Sequence, residues 1–171
     1  MNGCAAFNNG GGGINASIAC TVLGCSAYSN TGIGIESASG STIQQCAVYS
    51  NATNGVSVDN GSLISGCAIR SNGGNGIRAL SLCRIENNDC AGNSLSGIVV
   101  SSTACRIDGN HTTGGQRGIQ VTGTDNLVVR NSAQGASVLN YDIAAGNHDA
   151  ARITSPGASF ASTSPWANFS F

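Results

Sequence analysis

Glycine recurs at Gly13, Gly34, Gly55, Gly76, Gly97 and Gly118, and every step is 21 residues. The next position repeats with it as Ile14, Ile35, Val56, Ile77, Ile98 and Ile119. Two further on stand Ala16, Ser37, Val58, Ala79, Val100 and Val121. Apolar residues two apart, with a polar one between, read as a short strand with one buried face. A fixed period over so many turns means stacked repeats, and that reading precedes any other assignment.

Further columns keep the same step, apart from one step of 22 residues between Ile85 and Ile107 and between Asn88 and Asn110. Val22, Ile43, Ile64, Ile85, Ile107 and Val128 form one. Cys4, Cys25, Cys46 and Cys67 form another, continued by Asn88, Asn110 and Asn131. Ala6, Ala27, Val48, Ile69 and Cys90 make a third, and Asn9, Asn30, Asn51, Asn72 and Asn93 a fourth. Each coil then holds two or three strands of three to five residues, joined by Gly, Asn and Ser turns. One coil cannot bury its apolar face, but stacked coils can, because like residues lie above like at the strand spacing of about 4.8 Å. Asparagine on asparagine lets each amide bond to the next. The glycine before each isoleucine supplies either a positive φ or room for a corner.

The expected fold is all-β: a parallel solenoid of about 21 residues per coil and six to seven coils, with an irregular C-terminal cap. The coils are expected over residues 1–131 and the cap and tail over 132–171, since the period breaks after Gly118. The pattern resembles the right-handed parallel β-helix of the pectate-lyase-like superfamily, and the handedness comes from that resemblance. The segments Asn126–Asn131, Asn140–Asn147 and Pro165–Phe169 are similar to the end of bacterial β-helix proteins of unassigned function. The superfamily contains polysaccharide lyases and hydrolases, epimerases, tailspikes, adhesins and inert scaffolds, so the resemblance implies a fold more than an activity.

Charge excludes some partners. Charged residues are 9% of the chain, seven are arginine, and lysine is absent. Nucleic acid is not expected as a partner, because phosphate binding needs clustered cations. The longest apolar run, Cys4 to Phe7, is far short of the roughly 20 residues of a spanning helix. The four cysteines of one column match a stack of small buried side chains, since in-register thiols point the same way, so packed free thiols are expected rather than disulfides. Cys20, Cys83 and Cys105 fall in another column with Ser41 and Ser62. No CxxC pair occurs and His111 and His148 lack matched spacing, so no metal or cofactor is expected.

Alternation turns Arg84 and Glu86 outward around Ile85, and Arg106 and Asp108 outward around Ile107. Glu86 and Asp108 are then neighbours on adjacent coils. They are either an acid pair of the glycosidase kind, with a Ca²⁺ site as a variant, or part of a surface network with the two arginines. The network is favoured, because exposed charge networks are far commoner than catalytic pairs. Lyases and hydrolases of the superfamily need clustered acids with basic partners and long groove-walling loops. The eight acids here are scattered and the loops are missing, so no enzyme is expected; if there is one, it is a polysaccharide lyase or glycoside hydrolase.

Phe7, Tyr28, Tyr49 and Arg70 form an outward column, read as a binding platform for sugar rings or a partner, or as a self-stabilising aromatic ladder ended by a guanidinium. The leading expectation for function is a non-catalytic structural β-helix that self-associates end to end, in an extracellular fibre or cell-surface assembly. Cys4, Ala6 and Ile14 would present the open edge of the first coil. Trp166, Phe169 and Phe171 would either fold back on the last coil or dock on the next subunit, giving a head-to-tail homo-oligomer. The alternative is a polysaccharide-binding or carbohydrate-active module cut from a longer protein.

Overall fold

The computed structural model describes residues 1–154 and 163–171. These residues form 23 short strands and no helix. The strands sort into three parallel sheets that wrap one interior, and each coil contributes one strand to each. Sheet A runs from Thr21–Leu23 to His148–Asp149, and sheet C from Ile14–Ala16 to Leu139–Ile143. Sheet B runs from Ala5–Phe7 through Ser132–Gln134 and ends with Asn168–Ser170 and Arg152–Thr154. The architecture is a parallel solenoid of about seven turns, as the 21-residue period requires.

Register places like on like. Ile14 pairs with Ile35, Ile35 with Val56, and Ile77 with Ile98. On sheet A, Ile43 pairs with Ile64, Ile64 with Ile85, and Ile85 with Ile107. All of these isoleucines except Ile14, the end of its column, have no solvent exposure at all. At Glu36, between the inward Ile35 and Ser37, the outward residue is open to solvent. The glycine ahead of each isoleucine supplies room and not a positive φ. A Cβ on Gly34 would stand 2.5 Å from Val48 Cγ1 and 2.7 Å from the Gly55 carbonyl oxygen.

Positive φ falls instead at the three corners of each coil, on the residue just before a ladder position. Between sheets A and B it falls on Gly24, Gln45, Gly66, Asn87, Gly109 and Arg130. Between sheets B and C it falls on Asn8, Ser29, Ser50, Ser71 and Gly92. The ladder residue that follows turns inward and accepts a backbone N–H from the coil below. Asn30 N–H and Asn30 Nδ2 both donate to Asn51 Oδ1, at 3.2 and 2.9 Å, and Asn51 repeats the motif on Asn72. The Cys4 column gives way to asparagine in the same role: Cys67 N–H donates to Asn88 Oδ1, and Asn88 to Asn110. The third corner carries Cys20, Ser41 and Ser62, then Cys83 on Cys105, and Asn126 and Asn147 extend it.

The sheets continue beyond residue 131. Arg117 pairs with Leu139 and Ile119 with Tyr141, a 22-residue step, and Asn140 takes the place of the glycine, so the signal is lost without the stack ending. The segment read as a cap therefore opens with a further regular turn. Tyr141 fills the isoleucine position, and its hydroxyl donates to the Asn131 carbonyl at 2.7 Å. The tail strand Asn168–Ser170 then pairs with Ser132–Gln134 of the same chain. Asn168 Oδ1 accepts from Asn131 N–H at 2.9 Å, which extends the asparagine column by one rung. The tail covers its own last coil, the first of the two arrangements expected for it.

All eight cysteines are free thiols, six of them buried, with Cys4 exposed and Cys20 half-buried. Burial, and after it the charge of Asp89, pushes the Cys90 thiol well above its ordinary range. The hydrogen bond with Cys46, then burial, does the same to Cys67. A bulky maleimide is expected to label Cys4 and Cys20 in the folded protein and all eight thiols after denaturation, counted by mass spectrometry. Native labelling of the other six at similar rates would contradict the stacked interior.

Candidate functional site

Each sheet turns one column of side chains outward, so the molecule has three candidate faces. On sheet A, Arg84, Glu86, Asn87, Arg106, Asp108 and Arg130 line a basin of about 400 Å³. Arg84 pairs with Arg106, and Glu86 with Asp108, in register on adjacent strands. Arg84 donates from Nε and Nη2 to Glu86 Oε1 at 2.9 and 2.8 Å. Arg106 donates from the same two nitrogens to Asp108 Oδ2 at 3.0 and 2.7 Å. Arg130 grips Asp108 from the next coil, Nε on Oδ1 at 2.7 Å and Nη2 on Oδ2.

Arg130 is the member that sequence reasoning missed. It lies in a corner rather than a strand, with φ +56°. The available signal was its column, which is mostly glycine and breaks to arginine one coil above Gly109.

Asp108 is 4% exposed and belongs to both guanidinium groups. The hydrogen bond from Arg130 leads in holding its carboxyl below the ordinary value, against burial, with Arg106 assisting. Such a carboxylate is a poor proton donor. Glu86 is held by Arg84. Both acids of the pair are thus engaged by arginines in one charge network.

Because the folded-state value is depressed, the stability from Asp108 is present above the unfolded carboxylate pKa of about 3.9 and is lost as pH falls through the folded value. Asp108→Asn is expected to cost about 1.5–3 kcal/mol near neutral pH, since it removes charge-assisted bonds. The gap from wild type should close in denaturant melts near pH 2. A pH-independent difference would contradict this.

On sheet B the aromatic column forms as expected. Phe7 and Tyr28 stack with centroids 4.9 Å apart and planes at 3°, and Tyr28 and Tyr49 at 4.8 Å and 2°. The rings turn their faces to one another, which is the geometry of a self-stabilising ladder and leaves mainly ring edges for a ligand. Arg70 pairs in register with Tyr49 but does not cap it. Among the described residues, the guanidinium groups that lie over rings are Arg130 on Trp166 at 5.2 Å and Arg152 on Tyr141 at 5.3 Å. Arg70 instead walls a notch with Tyr49, Ala47 and Ala68.

Sheet C carries the feature that the sequence reading did not assemble. Asn15, Glu36, Ser57 and Arg78 stand in register on successive strands, all in the outward mid-strand position. Asp59 follows the strand Val56–Val58 by one residue and joins them. Together they line a groove of about 340 Å³, floored by Ala16, Ser37 and Ala38. Among the described residues, none of Glu36, Asp59 and Arg78 takes part in an ion pair. The Ser37 hydroxyl beneath them is buried without a hydrogen-bond partner. These acids are 23 residues apart, one coil plus two positions, so their scatter along the chain hides their proximity.

The residues expected to mediate assembly are placed as follows. Cys4 is exposed, Ala6 half-buried and Ile14 buried in the first coil. Trp166 is half exposed beneath Arg130, and Phe169 and Phe171 stack on each other at 6.3 Å. The strand Asn168–Ser170, which carries Phe169, pairs with its own chain, while Trp166 and Phe171 stay about half exposed. Among the described residues, no group of three or more His, Cys, Asp or Glu side chains is arranged to hold a metal ion. No helix of the described residues is long and apolar enough to cross a membrane.

The family model for the right-handed beta helix region matches residues 54–134. No curated protein sequence matches the chain. Among solved structures, the A-module of the mannuronan C-5 epimerase AlgE4 of Azotobacter vinelandii superposes with a TM-score of 0.65 at 17% identity, over 85% of this chain and 56% of that one. The periplasmic alginate epimerase AlgG gives 0.54 at 14% identity, over 84% and 39%. Pectate lyase Pel9A gives 0.51 at 17% identity, over 74% and 46%. The chain thus spans about half the length of these proteins. At such identities the likeness is one of fold, and in fold the chain is a right-handed parallel β-helix.

Proposed function

We propose that the chain is a carbohydrate-recognition β-helix module that binds a polysaccharide along the sheet C groove. The observation that carries this reading is the set of Glu36, Asp59 and Arg78, charges of both signs that share one groove and form no ion pair among the described residues. Sugar hydroxyls donate well to carboxylates, and a sugar carboxylate accepts from a guanidinium. Asn15 and Ser57 add an amide and a hydroxyl on the same line. Strands in register repeat every 4.8 Å or so, which suits an extended chain lying along the solenoid axis. The fold is shared with two epimerases, of mannuronan and alginate, and a pectate lyase, which supports a carbohydrate ligand. AlgG is periplasmic, which supports a place outside the cytoplasm. Binding without turnover is the reading, because the groove holds no histidine, lysine or tyrosine beside its acids.

Calorimetric titration with alginate and pectate oligomers tests this. Arg78→Ala is expected to weaken binding about tenfold or more, as loss of a charge-assisted contact implies. Glu36→Gln should weaken it less, and Tyr49→Ala not at all. Binding unchanged by Arg78→Ala but lost in Tyr49→Ala would move the site to sheet B. Absence of binding to either polymer would overturn the proposal, and unsaturated or epimerised product in NMR spectra would make the module an enzyme.

A further inference from the structure

Three guanidinium groups share the sheet A basin, and the carboxylates between them occupy only one edge of each. Arg84, Arg106 and Arg130 all donate through Nε and Nη2. Among the described residues, no protein acceptor engages the Nη1 nitrogen of any of the three. Each Nη1 carries two N–H groups, so all three guanidinium groups that line the basin keep unused donors. Three arginines against Glu86 and Asp108 leave it with a net charge of +1.

Asp108 makes this arrangement more than a scatter of surface cations. Its side chain is 6% exposed, and Arg106 and Arg130 hold it in a double fork. Two guanidinium planes are thereby fixed before any ligand arrives, which lowers the ordering cost of binding. The unused ends of guanidinium groups held in this way can donate to the oxygens of phosphate and sulfate. The Asn87 amide completes the lining.

We propose that this basin binds a tetrahedral oxyanion, either the free ion or a phosphate or sulfate ester on a larger ligand. This does not rest on the polysaccharide reading, which concerns a different sheet. A reporter is built in: Trp166 is the chain's one tryptophan, and Arg130 lies over its ring. A ligand that draws on Arg130 changes the environment of that ring.

Fluorescence titrations with sodium sulfate and sodium phosphate, against sodium chloride at equal ionic strength, provide the test. A saturable change in Trp166 emission is expected with the divalent oxyanions and not with chloride. Arg84→Gln alters an exposed residue that does not touch Asp108, so it should leave the fold intact by circular dichroism and weaken binding about tenfold. Arg78→Ala, on sheet C, should leave the response unchanged, which separates failure here from failure of the polysaccharide proposal. A sulfated oligosaccharide and a phosphorylated sugar distinguish ester from free ion: tighter binding than the inorganic ion assigns the site to that ester. The same response in chloride, no response to any oxyanion, or full affinity in Arg84→Gln would overturn the proposal.

Discussion

The hydrogen bonds that run through the corners set everything else in this molecule. A parallel strand pairs its backbone with the coils above and below, but a buried turn has no such partners, and an unpaired buried amide costs about 1–3 kcal/mol. The chain answers with a side chain that turns inward after a positive-φ residue and accepts the N–H of the coil below, as Asn51 does for Asn30. Asparagine also donates onward: Asn51 Nδ2 reaches the Ala27 carbonyl at 3.0 Å and Asn72 Oδ1 at 3.0 Å. Cysteine and serine serve at positions where a single acceptor suffices, as Ser62 does for Ser41. With the corners fixed, the isoleucine columns have one register available, and that register decides which residues face outward.

The faces follow from this geometry. A residue at mid-strand is repeated at the same place one coil later, so outward side chains form rows along the axis. Where a row is aromatic, it stacks on itself, as at Phe7, Tyr28 and Tyr49. Where it alternates cation and anion within a strand, it neutralises itself, as at Arg84 and Glu86. Sheet C differs because Glu36 and Arg78 lie two coils apart with Ser57 between them, too far separated in the stack to pair directly. That separation leaves its charges available to a ligand.

Periodicity made the fold readable, because a solenoid writes its contacts at a constant offset. Gly34, Ile35 and Ser37 could be assigned to a corner and an inward face from spacing alone, and the Cys67-to-Asn88 change was visible as one column. What periodicity does not carry was lost. Asn168 fills a rung 37 residues after Asn131, beyond any fixed step. Arg130 acts from a corner, where the strand alternation rule says nothing about side-chain direction. Glu36 and Arg78 occupy mid-strand positions between inward residues, but a groove is a property of how adjacent rows differ in size. The small residues Ala16, Ser37 and Ala38 beneath them make the concavity.

The corner ladders can be tested by hydrogen exchange of side-chain amides, followed by NMR on uniformly labelled protein. If buried amide stacking holds the coils in register, the Nδ2 protons of Asn51 and Asn72 exchange only when the stack opens globally, at rates like those of the slowest backbone amides. The exposed Asn15 side chain supplies the fast reference within the same spectrum. Exchange at Asn51 and Asn72 as fast as at Asn15, in a protein whose sheet amides remain protected, would show that the ladder does not hold the coils together.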